Sequence, residues 1–386
     1  MSDPPPSVGA LLCGTPPDLL PEVLAGHLRR HHSVGLVEVL LGDYTSDGLW
    51  PVLDRHAPQG DTLAARCFGS QRPVVDEGPG GTRVHLPVSV WGDRLGVLLV
   101  RTPEEPRPDR TEQWAAAADE FATALRAADR YTDRYLRVRR RQRLTMAAEL
   151  QWDLLPGRSL GDDRFLVAGQ LEPAYAVCGD HFDWSVNGDR LTVTVLNGHG
   201  DGLEASVLTT VAVNAMRNAR RSGANIVEQA ELASEAIYAR YGGARHAATL
   251  LLEVDLTGGQ VEAVDAGSPR AVIARGSDIT AVSLEPQLPL GMFGDTRYET
   301  QGFRLEPADR LLVVSDGVHA ATPDGRPPYG ETALLNAVRR TRLQPATEAV
   351  GTVMRGLGEY HAGAEPADDA VTVCLDWRRG GPGRGG

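Results

Sequence analysis

Lysine is absent: all 39 basic residues of the 386-residue chain are arginine. With 43 glycines beside it, this is a compositional bias and not a functional signal. Aromatic residues make up only 5%. Basic charge is in deficit, since 51 acidic residues leave a formal net charge of −12. That balance argues against a nucleic-acid binder, whose affinity comes mainly from phosphate neutralisation. Only four cysteines occur, Cys13, Cys67, Cys178 and Cys374, far apart and without a CxxC pair. They read as reduced thiols of a cytoplasmic protein, with no zinc-like cluster of Cys and His. No apolar run reaches about 18 residues, so no membrane span is expected. The N-terminus, MSDPPPSVGALLCG, lacks the basic start and long apolar core of a signal peptide. There is no P-loop and no Ser-His-Asp arrangement.

What is present is enough apolar residue, 42%, for a sizeable core and a length that suits two to three domains. The pattern predicts an α+β protein. Residues 1–16 are Pro-rich and expected to be disordered, as is the Gly-rich tail, 379–386. Residues 17–110 read as a small α+β domain, with a helix at 17–30 and strands at 34–41, 83–89 and 94–101. Gly92-Asp93 is the expected hairpin turn between the last two. After the charged, Pro-rich break TPEEPRPDR, Thr111 can cap a helix that meets no Pro or Gly until Pro156. A single linker helix over 111–156 is therefore expected. Trp114, Ala118, Phe121, Leu125, Ala128, Thr132 and Tyr135 alternate by four and three along it. This seam suggests a coiled-coil homodimer. A basic run follows, Arg134, Arg137, Arg139, Arg140, Arg141 and Arg143, which is a solvated face or a contact with an acidic partner. From Phe165 onward strands interleave with two helix pairs, 202–220 with 226–241 and 331–342 with 346–360. Sheets covered by helices follow from that order.

Four acidic or amide-bearing spots fall at the ends of expected strands: Cys178-Gly179-Asp180, Asn197-Gly198, Ser315-Asp316-Gly317 and Asp368-Asp369. Carboxylates scattered in sequence but gathered at strand ends suit a hard divalent cation, which prefers oxygen ligands. A glycine beside the polar residue lets the backbone turn tightly. A lone Asp-Gly, by contrast, is usually only a turn.

Several motifs resemble those of a known family in order and spacing. MAAELQWDLLP (146–156) is similar to A-x-x-x-Q-x-x-L-L-P, and CGDHFDW (178–184) to G-G-D-F-x-D. NGHGDGLEAS (197–206) stands where D-x-x-G-H-G-x-x-A-A is expected. AGSP (266–269), LPLGM (288–292), SDGV (315–318) and DDAVTV (368–373) follow in the same order. Together they resemble the SpoIIE/RsbU branch of the protein phosphatase 2C superfamily, over roughly 144–377. The segment VHLPVSVWGDRLGVLLV resembles the end of a GAF domain, a sensor module that would take a small-molecule ligand. The phosphatase resemblance implies an α-β-β-α sandwich over 157–378 with two Mn²⁺ or Mg²⁺ ions at one end. It further implies a protein serine/threonine phosphatase whose substrate is a phosphorylated STAS-type anti-sigma-factor antagonist. By position, Asp180, Asp316 and Asp368 match the metal ligands, and the Gly198 carbonyl a backbone ligand. Asp183, Asp201 and Asp369 are further acidic candidates, with turn or capping use open for Asp183. His199, within Gly-His-Gly, is not the motif histidine.

The chain departs from the family at one position above all. Asn197 stands where the family has the aspartate that bridges both metals. An amide oxygen can ligate a cation but carries no charge to offset the repulsion between two of them. Asp201 replaces a His, Ser268 a His, and Cys178 a Gly. Two readings follow: a working phosphatase, or a degenerate one that binds partners without turnover.

Overall fold

The computed structural model describes residues 7–32, 34–43, 48–54, 60–78, 80–140, 144–173, 177–331 and 333–378, and the chain divides into two units at residues 143 and 144. In the first unit the elements are α1 (Val8–Cys13), α2 (Leu20–His32), β1 (Leu36–Gly42), β2 (Leu49–Pro51), α3 (Thr62–Ser70), β3 (Val74–Gly78), β4 (Gly81–Val90), β5 (Asp93–Thr102), α4 (Pro108–Ala128) and α5 (Arg134–Arg139). The strands form one antiparallel sheet in the order β2-β1-β5-β4-β3. Val90 pairs with Asp93, and the two loop residues Trp91 and Gly92 take φ of 51° and 81°. Positive φ at both positions is the hairpin geometry that matches strand twist. The turn thus lies one residue earlier than Gly92-Asp93.

Strand alternation divides the apolar residues between two faces. Val37, Val39 and Leu41 join Leu86, Leu98, Leu24 and Phe121 in the main core. Leu40 and Val97 face the other way, onto Ala64 and Cys67 of α3.

Two sequence expectations are corrected here. Residues 8–13 are helical, capped by Ser7, and bury Leu12. The disordered segment assigned to 1–16 does not extend over them, while residues 1–6 and the tail 379–386 lie outside the described residues. The linker is also not one helix. It starts at Pro108, where a missing N–H costs nothing, and is interrupted between Ala128 and Arg134. After the break Tyr135 donates its hydroxyl to the Pro17 carbonyl and Arg134 pairs with Glu22 at 2.6 Å. Trp114, Ala118, Phe121, Leu125, Ala128 and Tyr135 are all buried in the unit's own core. The seam that suggested a coiled coil is therefore already covered. Phe121→Asp should unfold this unit, by placing an unpaired charge in the core. Thermal melting that matched the wild type would refute the burial.

The second unit contains α6 (Met146–Leu154), β6 (Ser159–Gly161), β7 (Phe165–Glu172), β8 (His181–Asn187), β9 (Arg190–Asn197), α7 (Gly202–Arg221), α8 (Ile226–Tyr241), β10 (Ala248–Asp255), β11 (Gln260–Ala266), β12 (Arg270–Arg275), β13 (Asp278–Ala281), β14 (Gln301–Arg304), β15 (Arg310–Val314), α9 (Asp316–His319), α10 (Ala333–Arg340), α11 (Ala346–His361) and β16 (Ala370–Trp377). Its two antiparallel sheets run β14-β11-β10-β9-β8 and β13-β12-β15-β16-β7-β6. One set of alternate residues, including Phe182, Val193, Leu252, Leu311 and Val373, fills the layer between the sheets. The opposite set packs on helices: Leu196, Leu251 and Val264 on α7 and α8, and Leu312, Val314 and Cys374 on α10 and α11. This is the expected α-β-β-α sandwich. Among the described residues no helix is long and apolar enough to cross a membrane.

Candidate metal centre

Strand periodicity builds the site. Side chains two residues apart share a face. On β8, Phe182 and Trp184 point between the sheets, so Asp180 precedes them on the same side. On β9 the row Leu191, Val193, Val195 ends at Asn197. On β15 the row Leu311, Val313 leads to Ser315. On β16, followed backwards along the chain, the row Leu375, Val373, Val371 leads to Asp369. Asp180, Asn197, Ser315 and Asp369 thus meet at one end of the inter-sheet layer, and all four are buried.

Two glycines are required by close approach. A Cβ on Gly198 would overlap the Cys178 carbonyl oxygen, and one on Gly317 would overlap that of Asp369. The backbones that carry Asp180 and Asn197, and Asp316 and Asp369, are therefore packed directly together.

The carboxylates repel one another. Asp180 is 1% exposed, and burial, then the charges of Asp316 and Asp368, push its carboxyl well above the usual range. Burial and then Asp316 raise Asp368 to about 6. Asp180 Oδ1 accepts from the Gly198 N–H at 3.1 Å, but Oδ2 has no partner. Asn197 is 2% exposed, and neither of its side-chain polar atoms has a partner. Asp316, at the start of α9, accepts from the Gly317 N–H at 3.0 Å. Unpaired buried oxygens beside repelling carboxylates are a donor set that suits an oxygen-preferring cation. Among the described residues, no three His, Cys, Asp or Glu side chains form a group that could hold a metal ion by themselves. Amide, backbone and water oxygens would have to complete the sphere, as Mg²⁺ commonly allows.

The other candidates take different places. Asp369 Oδ2 accepts from the backbone N–H groups of Cys178, Gly179 and Asp180 at 2.9, 2.8 and 3.3 Å, and from Gln151 Nε2 at 2.9 Å. It clamps the loop that carries Asp180. Asp183 lies on the helix-facing side of β8, paired with Arg217 at 2.7 Å and Arg220 at 3.1 Å. Asp201 is exposed at the start of α7, between two glycines of positive φ. The His199 ring lies 4.5 Å from that of His246, tilted by 34°. Gln151 was legible only as a motif letter. It is 1% exposed and also donates to the Asp180 carbonyl at 2.6 Å, which ties α6 to the site.

Two sheets between helix pairs, with carboxylates at one end of the inter-sheet layer, define a PP2C-type phosphatase fold. Residues 187–378 match the family described as Stage II sporulation protein E (SpoIIE). The SiaA-PP2C domain of Pseudomonas aeruginosa is 18% identical with a TM-score of 0.52, over 60% of this chain and 94% of that one. The RsbU and RsbW domains of a Mycobacterium tuberculosis protein are 24% identical with a TM-score of 0.47, over 57% of this chain and 62% of that one. The chain therefore spans less than two thirds of that structure. RsbX in complex with magnesium is 15% identical with a TM-score of 0.44, over 57% of this chain and 98% of that one.

Proposed function

We propose that the second unit is a metal-dependent protein serine/threonine phosphatase. Its substrate in this reading is a phosphorylated regulatory protein of the STAS type, and the first unit, binding a small molecule, regulates it in the cytoplasm. The observation that carries the reading is the meeting of Asp180 and Asn197, with unpaired buried oxygens, beside Asp316 and Asp368. Bound Mn²⁺ or Mg²⁺, at one or two positions, would lower the pKa of a water and offset charge on a phosphoryl group. Asp180, Asp316, Asp368, Asn197 Oδ1 and the Gly198 carbonyl would hold it. Asp369 and Gln151 keep the Asp180 loop in place. The neutral Asn197 favours a second reading, in which the fold binds a partner without turnover.

Manganese titration by calorimetry, coupled to turnover of a phosphoserine peptide, tests both. Binding heat and turnover should be present in the wild type and lost in Asp316→Asn. Binding without turnover would favour the second reading. Binding heat untouched by Asp316→Asn would remove the metal site from this cluster.

A further inference from the structure

At the opposite end of the sandwich lies a cleft of about 630 Å³. Arg310 and Asp376, which pair across β15 and β16, stand at its back, five strand residues from Ser315. That separation is roughly 17 Å at the strand rise. The floor is apolar, from Ala274, Ile279 and Val338, and Arg339, Arg340 and Arg342 line the rim. Leu343, 90% exposed, stands beside them.

Arg310 fixes this geometry. It donates to Asp376 at 2.7 and 3.0 Å, to the Thr341 carbonyl and hydroxyl at 2.6 and 2.9 Å, and to the Gln344 carbonyl at 2.5 Å. Those bonds occupy all the donors of a guanidinium. The turn that bears Arg342 and Leu343 is thereby pinned before any ligand arrives, which lowers the ordering cost of binding.

The rim arginines differ from the arginines that tie elements of the fold together. Arg83, Arg134, Arg164, Arg217, Arg275 and Arg310 each pair with a carboxylate. Arg339 contacts only Asn336 Oδ1, at 3.0 Å, and Arg340 and Arg342 have no carboxylate partner among the described residues. Arginines in the last turn of a helix also complement its dipole. That accounts for Arg339 and Arg340, but not for Arg342 or for an exposed leucine next to an apolar floor. On a chain of net charge −12, this is a local excess of positive charge.

We propose that this cleft docks an acidic segment of a partner protein, with one apolar side chain on the floor and carboxylates on the arginine rim. The site is independent of the metal centre. The test uses the full chain and two fluorescein-labelled peptides of equal length, one alternating Glu and Leu and one of Glu alone, followed by anisotropy. Replacing Arg339, Arg340 and Arg342 together by Ser should weaken the Glu/Leu peptide about tenfold, as three exposed ion pairs of modest strength would. Leu343→Ser should weaken it several-fold and leave the Glu peptide unchanged. Arg221→Ser, on the exposed end of α7, should change neither. Equal binding of both peptides by the wild type would reduce the site to a charge patch and overturn the proposal. So would an equal loss in Arg221→Ser, or displacement of the peptide by millimolar inorganic phosphate alone. Melting temperatures check that each variant is folded, and Leu343→Ser carries the test if the triple variant is not.

Discussion

Asn197→Asp is expected to move the protein in opposite directions with and without metal. Without metal, the new carboxylate joins Asp180, which is already pushed up by burial and by Asp316 and Asp368. A buried carboxylate with no partner is costly. The melting temperature in chelator should fall, by roughly 2–4 °C for each kcal/mol in a unit of this size. With manganese, the same charge lies against a cation, and affinity should rise about ten- to a hundredfold. The two states separate the charge argument from a packing effect, because Asp and Asn have nearly the same volume. Adding Asp316→Asn should cancel the gain. A variant that melts alike in chelator and manganese would show that Asn197 does not face the cation position.

Much of this site was legible in the sequence from polar residues at the ends of expected strands and from the order of the motifs. The strand ending at Asn197 alternates in RLTVTVLN, whereas the one leading to Ser315 is a continuous apolar run, RLLVV. Helices 202–220 and 226–241 were expected nearly as they stand, α8 to the residue. β8 was not read as a strand, although HFDWSVN alternates polar and apolar residues as a half-buried strand does. Its polar positions only make sense with α7 present, where Arg217 and Arg220 meet Asp183. The linker failed for a related reason. A seam of Trp114, Phe121 and Leu125 specifies an apolar neighbour but not whether that neighbour is another chain or the same unit's sheet. Asp368 and Asp369 were separated in sequence only by the resemblance, which matched Asp368 to a metal ligand and left Asp369 a further candidate; the hydrogen bonds give Asp369 the work of clamping the Asp180 loop.

Asp369→Ala and Asp316→Asn should therefore have opposite effects on stability. Asp369 is fully buried and accepts from three backbone N–H groups and the Gln151 amide. Its removal leaves those donors without an acceptor, at about 1–3 kcal/mol for each that water does not reach. A loss of several kcal/mol follows, and with it the fixed position of Asp180. Asp316 is only half-buried, and its charge is one of those that raise Asp180 and Asp368. Neutralising it relieves repulsion in the metal-free protein, so Asp316→Asn should melt at or above the wild type in chelator. Sites that hold ligands at the expense of stability behave in this way. Both variants should lose manganese binding, Asp369→Ala through the displaced loop and Asp316→Asn through a missing oxygen charge. Melting in chelator distinguishes them: if Asp369→Ala melts like the wild type, the clamp is wrong, and if Asp316→Asn falls as far as Asp369→Ala, the repulsion among the carboxylates is wrong.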